Sequence, residues 1–307
     1  MADRSLGGRF GLFFRFARVQ FLPLVLAPIL VGTASAWHLS RSINPQLFLL
    51  LLAGAACLQI ASNSIDDVYD FLNGVDRVSE TMFPKEFPGW KPIPRGLMSV
   101  SQGLSISLVF YSLSLAIGLY LAVTVGWIAL AIAIPGVLLS YFYVAPPLKL
   151  DYRGLGLGEV AIFLGFGPLP VLGAFYVLTG TLSWFALLAS IPSGLLTVDV
   201  LLNHDMIFYD AYKAAAKKSM TVVLGRVRTE SLTFGLSVVP YLFVAGLVLA
   251  RAIPFTCLLV LVALPFVVRG NLPARTERPM PEYGSRTRRA FFHSVVFSLL
   301  LAVGLFL

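Results

Sequence analysis

The stretch NSIDDVYDFLNGVD, Asn63 to Asp76, follows a run of nearly uncharged residues long enough for a membrane helix, so it lies where such a helix reaches its polar edge. Asn63, Asp66, Asp67, Asp70 and Asp76, groups that membrane helices normally avoid, are crowded into it. Read as a helix, Asn63, Asp67, Asp70 and Gly74 fall at offsets 0, 4, 7 and 11 and share one face, with Asp66 beside it. Clustered carboxylates repel one another and raise one another's pKa unless a cation joins them. The ion that suits them is hard and oxygen-loving, such as Mg²⁺ held by one or two carboxylates plus substrate phosphates. The competing reading is a solvated acidic helix end. Acids stabilise helix N-termini, however, and this is a C-terminal end.

Composition sets the surroundings. The chain has 307 residues, 58% hydrophobic and 12% charged, with mean hydropathy +0.85. Soluble domains carry about 25% charged residues, so an integral membrane protein is expected. Nine apolar spans are expected near 17–37, 45–64, 101–122, 126–145, 156–178, 183–203, 233–250, 252–268 and 288–307. They predict an all-α bundle of nine transmembrane helices in a single domain, 1–307, around a central cavity opening to the cytoplasmic side. Polar cap segments are expected near 65–100, 146–155 and 204–232. The N-terminal MADRSLGGRF leads into a full-length apolar segment, which argues against a cleavable signal peptide. Cys57 and Cys257 both lie in apolar segments and indicate no disulfide framework.

The net charge of +8 reads as a topology signal. With the N-terminus inside, all of the 23 basic residues except Arg41 and Arg251 fall in inside segments, Arg4, Arg9 and Arg269 among them. The expectation is a plasma (inner) membrane protein with a cytoplasmic N-terminus and an external C-terminus, attracted to anionic headgroups. Nucleic-acid binding is a poor reading, because the basic residues are spread along short loops. The sequence identifies no protein partner.

The polar chemistry gathers on that inside face. The fourth span ends in YFYVAPPLKLDYRGLGLGE, with Lys149, Asp151, Arg153 and Glu159, and the sixth in VDVLLNHDMIFYDAYKAAAKK. Asn63 precedes Tyr69-Asp70 as Asn203 precedes Tyr209-Asp210. Asp199, Asn203 and Asp210 again take offsets 0, 4 and 11, whereas Asp205 is rotated about 200° from Asn203 and should point away. The reading is two copies of one device facing each other across a cavity, with chance as the alternative. Two acidic clusters with Lys and Arg between them suit a diphosphate bridged by metal ions. Phe-rich walls suit a hydrocarbon tail and an allylic carbocation. A polyprenyl diphosphate has both parts, and DDVYD has the DDxxD form that soluble isoprenyl-diphosphate enzymes use.

On these residues the chain resembles the UbiA superfamily of intramembrane prenyltransferases over nearly its whole length. DDVYDFLNGVD fits the menaquinone-branch form N-D-x-x-D-x-x-x-G-x-D, with Asp66 where Asn usually stands. YRGLGLGEVAIFLGFGPLPVLGAFYVLTG (152–180) and KAAAKKSMTVVLGR also resemble that branch. The second motif departs from the family. Asn203, His204, Asp205 and Asp210 place the acids five apart with no Arg between them.

The resemblance implies Mg²⁺-dependent transfer of a polyprenyl group to an aromatic acceptor in the bilayer, such as 1,4-dihydroxy-2-naphthoate. It implies Asp66, Asp67, Asp70 and Asp210 as metal ligands, and Asn63, Asp67, Lys149, Arg153, Asn203 and Asp210 as catalytic groups. Arg18, Tyr69, Tyr143, Asp199 and His204 would bind substrate. The long segment 79–96 reads, from its length, as a cap loop over the cavity, with a linker carrying an amphipathic turn as the alternative. The alternatives are a lipid-ether or tetrapyrrole acceptor, or a non-catalytic lipid-binding or transport protein. Transporters place polar sites near the midplane on broken helices, whereas these clusters lie at span ends.

Overall fold

Prolines, glycines and capping side chains set the helix ends. The computed structural model describes residues 6–307 apart from 86 and 88; Arg4 lies outside the described residues, as do the side chains of Arg9 and Arg269. In chain order the helices are α1 (Leu6–Phe16), α2 (Pro23–Ser40), α3 (Pro45–Leu72), α4 (Val75–Met82), α5 (Val100–Thr124), α6 (Ile128–Phe142) and α7 (Leu157–Phe166). There follow α8 (Pro168–Thr179), α9 (Trp184–Ala214), α10 (Met220–Leu224), α11 (Arg226–Leu249), α12 (Leu264–Gly270) and α13 (Met280–Phe306). Short 3₁₀ turns lie at Val19–Phe21, Leu150–Tyr152 and Phe255–Ala263.

Among the described residues, seven segments are long and apolar enough to cross a membrane. Two shorter apolar helices, Ile128–Phe142 and Phe255–Val267, stand at the fourth and eighth positions read from sequence. The acid-bearing helix α3 starts at Asn44, whose side chain accepts from the amides of Gln46 and Leu47, with Pro45 at the first helical position. It runs past 64 to Leu72, so the acids stand on its last turns. Likewise α9 starts at the Ser183 cap and continues past 203 to Ala214. Ser99 and Gln102 form a reciprocal capping box that opens α5.

Helix α9 is the central element. Of its most apolar stretch, 67% is buried, against 17% for α5, which turns Leu108, Val109 and Val123 outward to the lipid. The main core packs Val31 of α2, Phe175 of α8, Leu196 of α9, Tyr241 of α11 and Phe297 of α13 together. The fifth span is broken into α7 and α8 at Gly167. A Cβ there would sit 2.8 Å from the Phe163 carbonyl oxygen and 2.9 Å from Gly194 Cα, so paired glycines let the break press against α9. Gly32 does the same for α2 against α8: a Cβ would collide with the Val171 carbonyl oxygen and lie 2.9 Å from Ala174 Cβ. Cys57 and Cys257 are both free.

Gly32→Ala should therefore destabilise the bundle by about 1–3 kcal/mol, the scale of overpacking. Gly235→Ala, whose Cβ meets nothing within 4 Å, should be neutral or stabilising by up to about 1 kcal/mol. Thermal unfolding in detergent micelles compares the two, and equal melting shifts would contradict this packing.

Candidate active site

Three cations from three separate segments converge on the end of α3. The first is Arg18, in a left-handed turn (φ 48°) between α1 and α2. Asn63 holds that turn: its amide donates to the Ala17 carbonyl at 3.0 Å, while its own carbonyl accepts from Gln59 at 2.9 Å. The Arg18 guanidinium then lies 3.0 Å from Asp66 Oδ2 and bonds to Asp67. Burial works to lower the pKa of Arg18, but Asp67 and Asp66 outweigh it and raise it.

The second is Lys91, in the segment joining α4 to α5. Its ammonium lies 2.8 Å from Asp76, 3.1 Å from Asp67 and 3.4 Å from Asp70. Asp76 stands in the first turn of α4, which Gly74 opens at φ 90°. Burial, opposed by Lys91 and reinforced by Asp70 and Asp67, pushes the Asp76 carboxyl up to about 8. Its Oδ2 is buried with no hydrogen-bond partner among the described residues. The third is Lys217, from the loop after α9, 2.6 Å from Asp151 Oδ2 and 3.7 Å from Asp70 Oδ1. The Tyr152 hydroxyl also donates to Asp70, at 2.6 Å.

A narrow aromatic cleft adjoins Asp76 and Lys91, lined by Phe83, Phe87, Trp90 and Phe208. Phe83 stacks on Phe87 at 4.3 Å and meets Phe208 edge-on at 5.3 Å. The segment expected to cap the cavity thus supplies both a cation and rings. Arg15 and Arg95 lie over Trp90, at 4.2 and 4.6 Å from its centroid.

The other residues singled out from sequence are placed as follows. The Lys149 ammonium donates to Asn73 Oδ1 at 2.6 Å, at the end of α3. Tyr69 pairs with the Tyr141 hydroxyl at 3.2 Å. The Tyr143 hydroxyl is buried with no partner among the described residues. His204 is partly exposed, 3.9 Å from Asp205, with its ring against Phe208. Arg153 is not brought to the acids. Its guanidinium is exposed and donates to the carbonyls of Pro147 and Leu148 at 3.0 and 2.8 Å, bracing its own loop.

The rotation of α9 reverses the sequence expectation. Asp210 has a side chain 59% exposed and pairs with Arg226 at 2.9 Å, away from α3. Asp199 accepts from Asn203 at 2.8 Å and from Asn271 at 2.9 Å, and Asn203 accepts from Arg286 of α13 at 3.2 Å. Asp205 is the acid that turns inward. It is 1% exposed and within electrostatic reach of Lys217, Asp70 and Asp66. The face defined by offsets 0, 4 and 11 is real, but it packs against α11 and α13. The two halves do not present two facing acidic clusters.

Sequence reasoning noted Asp151 among the polar residues after the fourth span without a role, and missed Tyr152, Lys91 and Lys217. The signals were Tyr152 at the start of YRGLG, Lys91 inside the cap segment and Lys217 in KAAAKK. Among the described residues no three acidic, histidine or cysteine side chains gather closely enough to cage a metal. The hard oxygen donors of the α3 acids and the unpartnered Asp76 oxygen fit a divalent ion that draws its remaining ligands from a phosphate substrate.

A helical membrane bundle with buried acids and cations gathered at one end is an integral membrane protein with a charged site at that end. The chain belongs to the UbiA prenyltransferase family, matching it over residues 25–296, and is an enzyme of prenyl transfer. It is 30% identical over 267 residues to the 1,4-dihydroxy-2-naphthoate octaprenyltransferase of Mycobacterium tuberculosis, covering 85% of each chain. It is 25% identical over 292 residues to the protein of that name from Bacillus subtilis, covering 95% of this chain and 91% of that one. Its fold matches a UbiA homolog from Archaeoglobus fulgidus, solved bound to GPP and Mg²⁺, with a TM-score of 0.60 at 17% identity, covering 93% of this chain and 98% of that one.

The rotation of α9 orders two variants. Asp205→Ala should lower turnover by roughly 10²-fold, the scale of a lost electrostatic group in a site. Asp210→Ala should stay within about twofold, as for a surface substitution. Turnover at matched expression tests this; a sensitive Asp210 beside a tolerant Asp205 would refute the placement.

Proposed function

We propose that this chain transfers a polyprenyl group from its diphosphate to an aromatic acceptor of the 1,4-dihydroxy-2-naphthoate type, with Mg²⁺ bound by Asp66, Asp67 and Asp70. The observation that carries the reading is the convergence of Arg18 and Lys91 on these acids beside a cleft of aromatic rings. The names of the curated relatives support the acceptor class. The geometry of the site supports a substrate with an anionic head.

Bound Mg²⁺ would supply Lewis-acid stabilisation of the departing diphosphate. The chain's own part follows from its charges. As the allylic C–O bond breaks, negative charge develops on the diphosphate oxygens, and Arg18 and Lys91, held beside the acids, would stabilise it. Tyr152 holds Asp70 in place through its hydroxyl. The rings of Phe83, Phe87 and Phe208 line the cleft and would keep water from the cation left on the prenyl carbon. Asn63 acts through Arg18, by fixing the turn that carries it. Lys149, beside Asn73, is in reach of an anion arriving at the end of α3. The distribution of basic residues supports a site facing the cytoplasm in the plasma membrane.

The test is product mass after incubating purified, reconstituted protein with prenyl diphosphate, Mg²⁺ and a panel of naphthoate, lipid-ether and tetrapyrrole acceptors. Product on the naphthoate is the expected result; product on a different acceptor only would overturn the acceptor assignment. Asp67→Asn removes a charge and little volume, and should lower turnover by roughly 10²-fold. Excess chelator should abolish turnover and added Mg²⁺ restore it. Activity that ignores both would remove the metal role from Asp67.

A further inference from the structure

Where the sequence pattern leads one to expect a second acidic cluster, the fold delivers an ammonium group. Lys217 is 2% exposed. Its loop is held from several sides. Ala216 takes a left-handed turn (φ 55°), and the Lys217 amide bonds to the Tyr212 carbonyl at 2.9 Å. Lys218 bridges in parallel to Arg153. Gly154, at φ 68°, lies so close that a Cβ would be 3.1 Å from the Lys218 carbonyl oxygen. The loops on either side of this bridge are thereby tied together, one carrying Lys217 and the other Asp151.

The ammonium lies between Asp151 and Asp70, at 2.6 and 3.7 Å, with the rings of Tyr212 and Tyr152 at 4.3 and 4.8 Å. Asp151 and Asp70 keep it protonated against the effect of burial. On α9, Asp205 is followed along the same face by Phe208 and Tyr212, which stack at 5.8 Å. That face has one carboxylate and two rings, too few oxygens to hold a divalent ion as an acidic motif would.

Resting on the diphosphate reading above, we propose that Lys217 is a fixed diphosphate-binding cation that takes the part of a second metal ion, so that the site loads one divalent ion per chain. An ammonium has three donors and no acceptor. One donor engages Asp151 and a second lies toward Asp70, which leaves the third for the anion. The second half of the chain thus contributes charge through the covalent structure.

The test uses purified full-length protein, Mn²⁺ and a non-cleavable prenyl thiolodiphosphate, with free Mn²⁺ read by electron paramagnetic resonance. One Mn²⁺ per bound analogue is expected; two would overturn the proposal. Lys217→Gln should weaken analogue binding by roughly 30-fold or more at saturating Mn²⁺, and Lys217→Arg should recover most of it. Unchanged affinity in Lys217→Gln would overturn the role of this residue. Breaking a buried ion pair by removing one partner can unfold a protein. Lys217→Met combined with Asp151→Asn removes both charges together and should show the same loss. The stoichiometry on the unaltered chain decides without any variant. No analogue binding at any Mn²⁺ concentration would overturn the prenyl-diphosphate reading itself.

Discussion

The contact of Arg18 with Asp66 and Asp67 ties the segment before the first long span to the helix that bears the acids. Asp67 and Asp70 are almost wholly buried, and an ionised carboxylate in that position costs several kcal/mol unless it is paired. None of the cations that answer this need comes from α3 itself. Arg18 comes from a left-handed turn, Lys91 from the cap segment and Lys217 from the loop after α9. Segments that would otherwise be free to wander over the end of the bundle are drawn onto it. The site therefore exists only when distant parts of the chain have folded together.

This division explains what could be read from the sequence. The acids of α3 are contiguous and follow the helical period, so Asp66, Asp67 and Asp70 declare themselves together. The apolar runs also place the long helices, although the uninterrupted polar ends of α3 and α9 carry two of them past 64 and 203. Lys91 and Lys217 lie in loops, where no periodicity relates them to Asp70. Arg153 was legible as a basic residue in a polar loop. What period and charge could not reveal is that its guanidinium is taken by the carbonyls of Pro147 and Leu148.

Helix α9 shows a different limit. Its polar residues fall on two faces, and a period identifies a face without saying what the face meets. Asp199, Asn203 and Asp210 share one, and Asp205 lies on the other. Deciding between them requires knowing what α11, α13 and the segment before α13 offer.

Those elements offer a buried polar network. Glu230 of α11, fully buried, accepts from Arg278 at 3.0 and 3.1 Å and lies 3.7 Å from Arg286. Arg286 reaches Asn203, and Asn271 reaches Asp199. Buried groups of this kind are costly when left unpaired, so the contacts of Asp199 and Asn203 favour one rotation of α9 about its axis and penalise others. That rotation carries Asp205, Phe208 and Tyr212 round to the acids of α3 and leaves Asp210 outside with Arg226. The polar groups that look most like a second active-site motif thus act at a distance: they set the angle of the central helix, and the angle decides that α3 faces one carboxylate, two rings and the loop that brings Lys217.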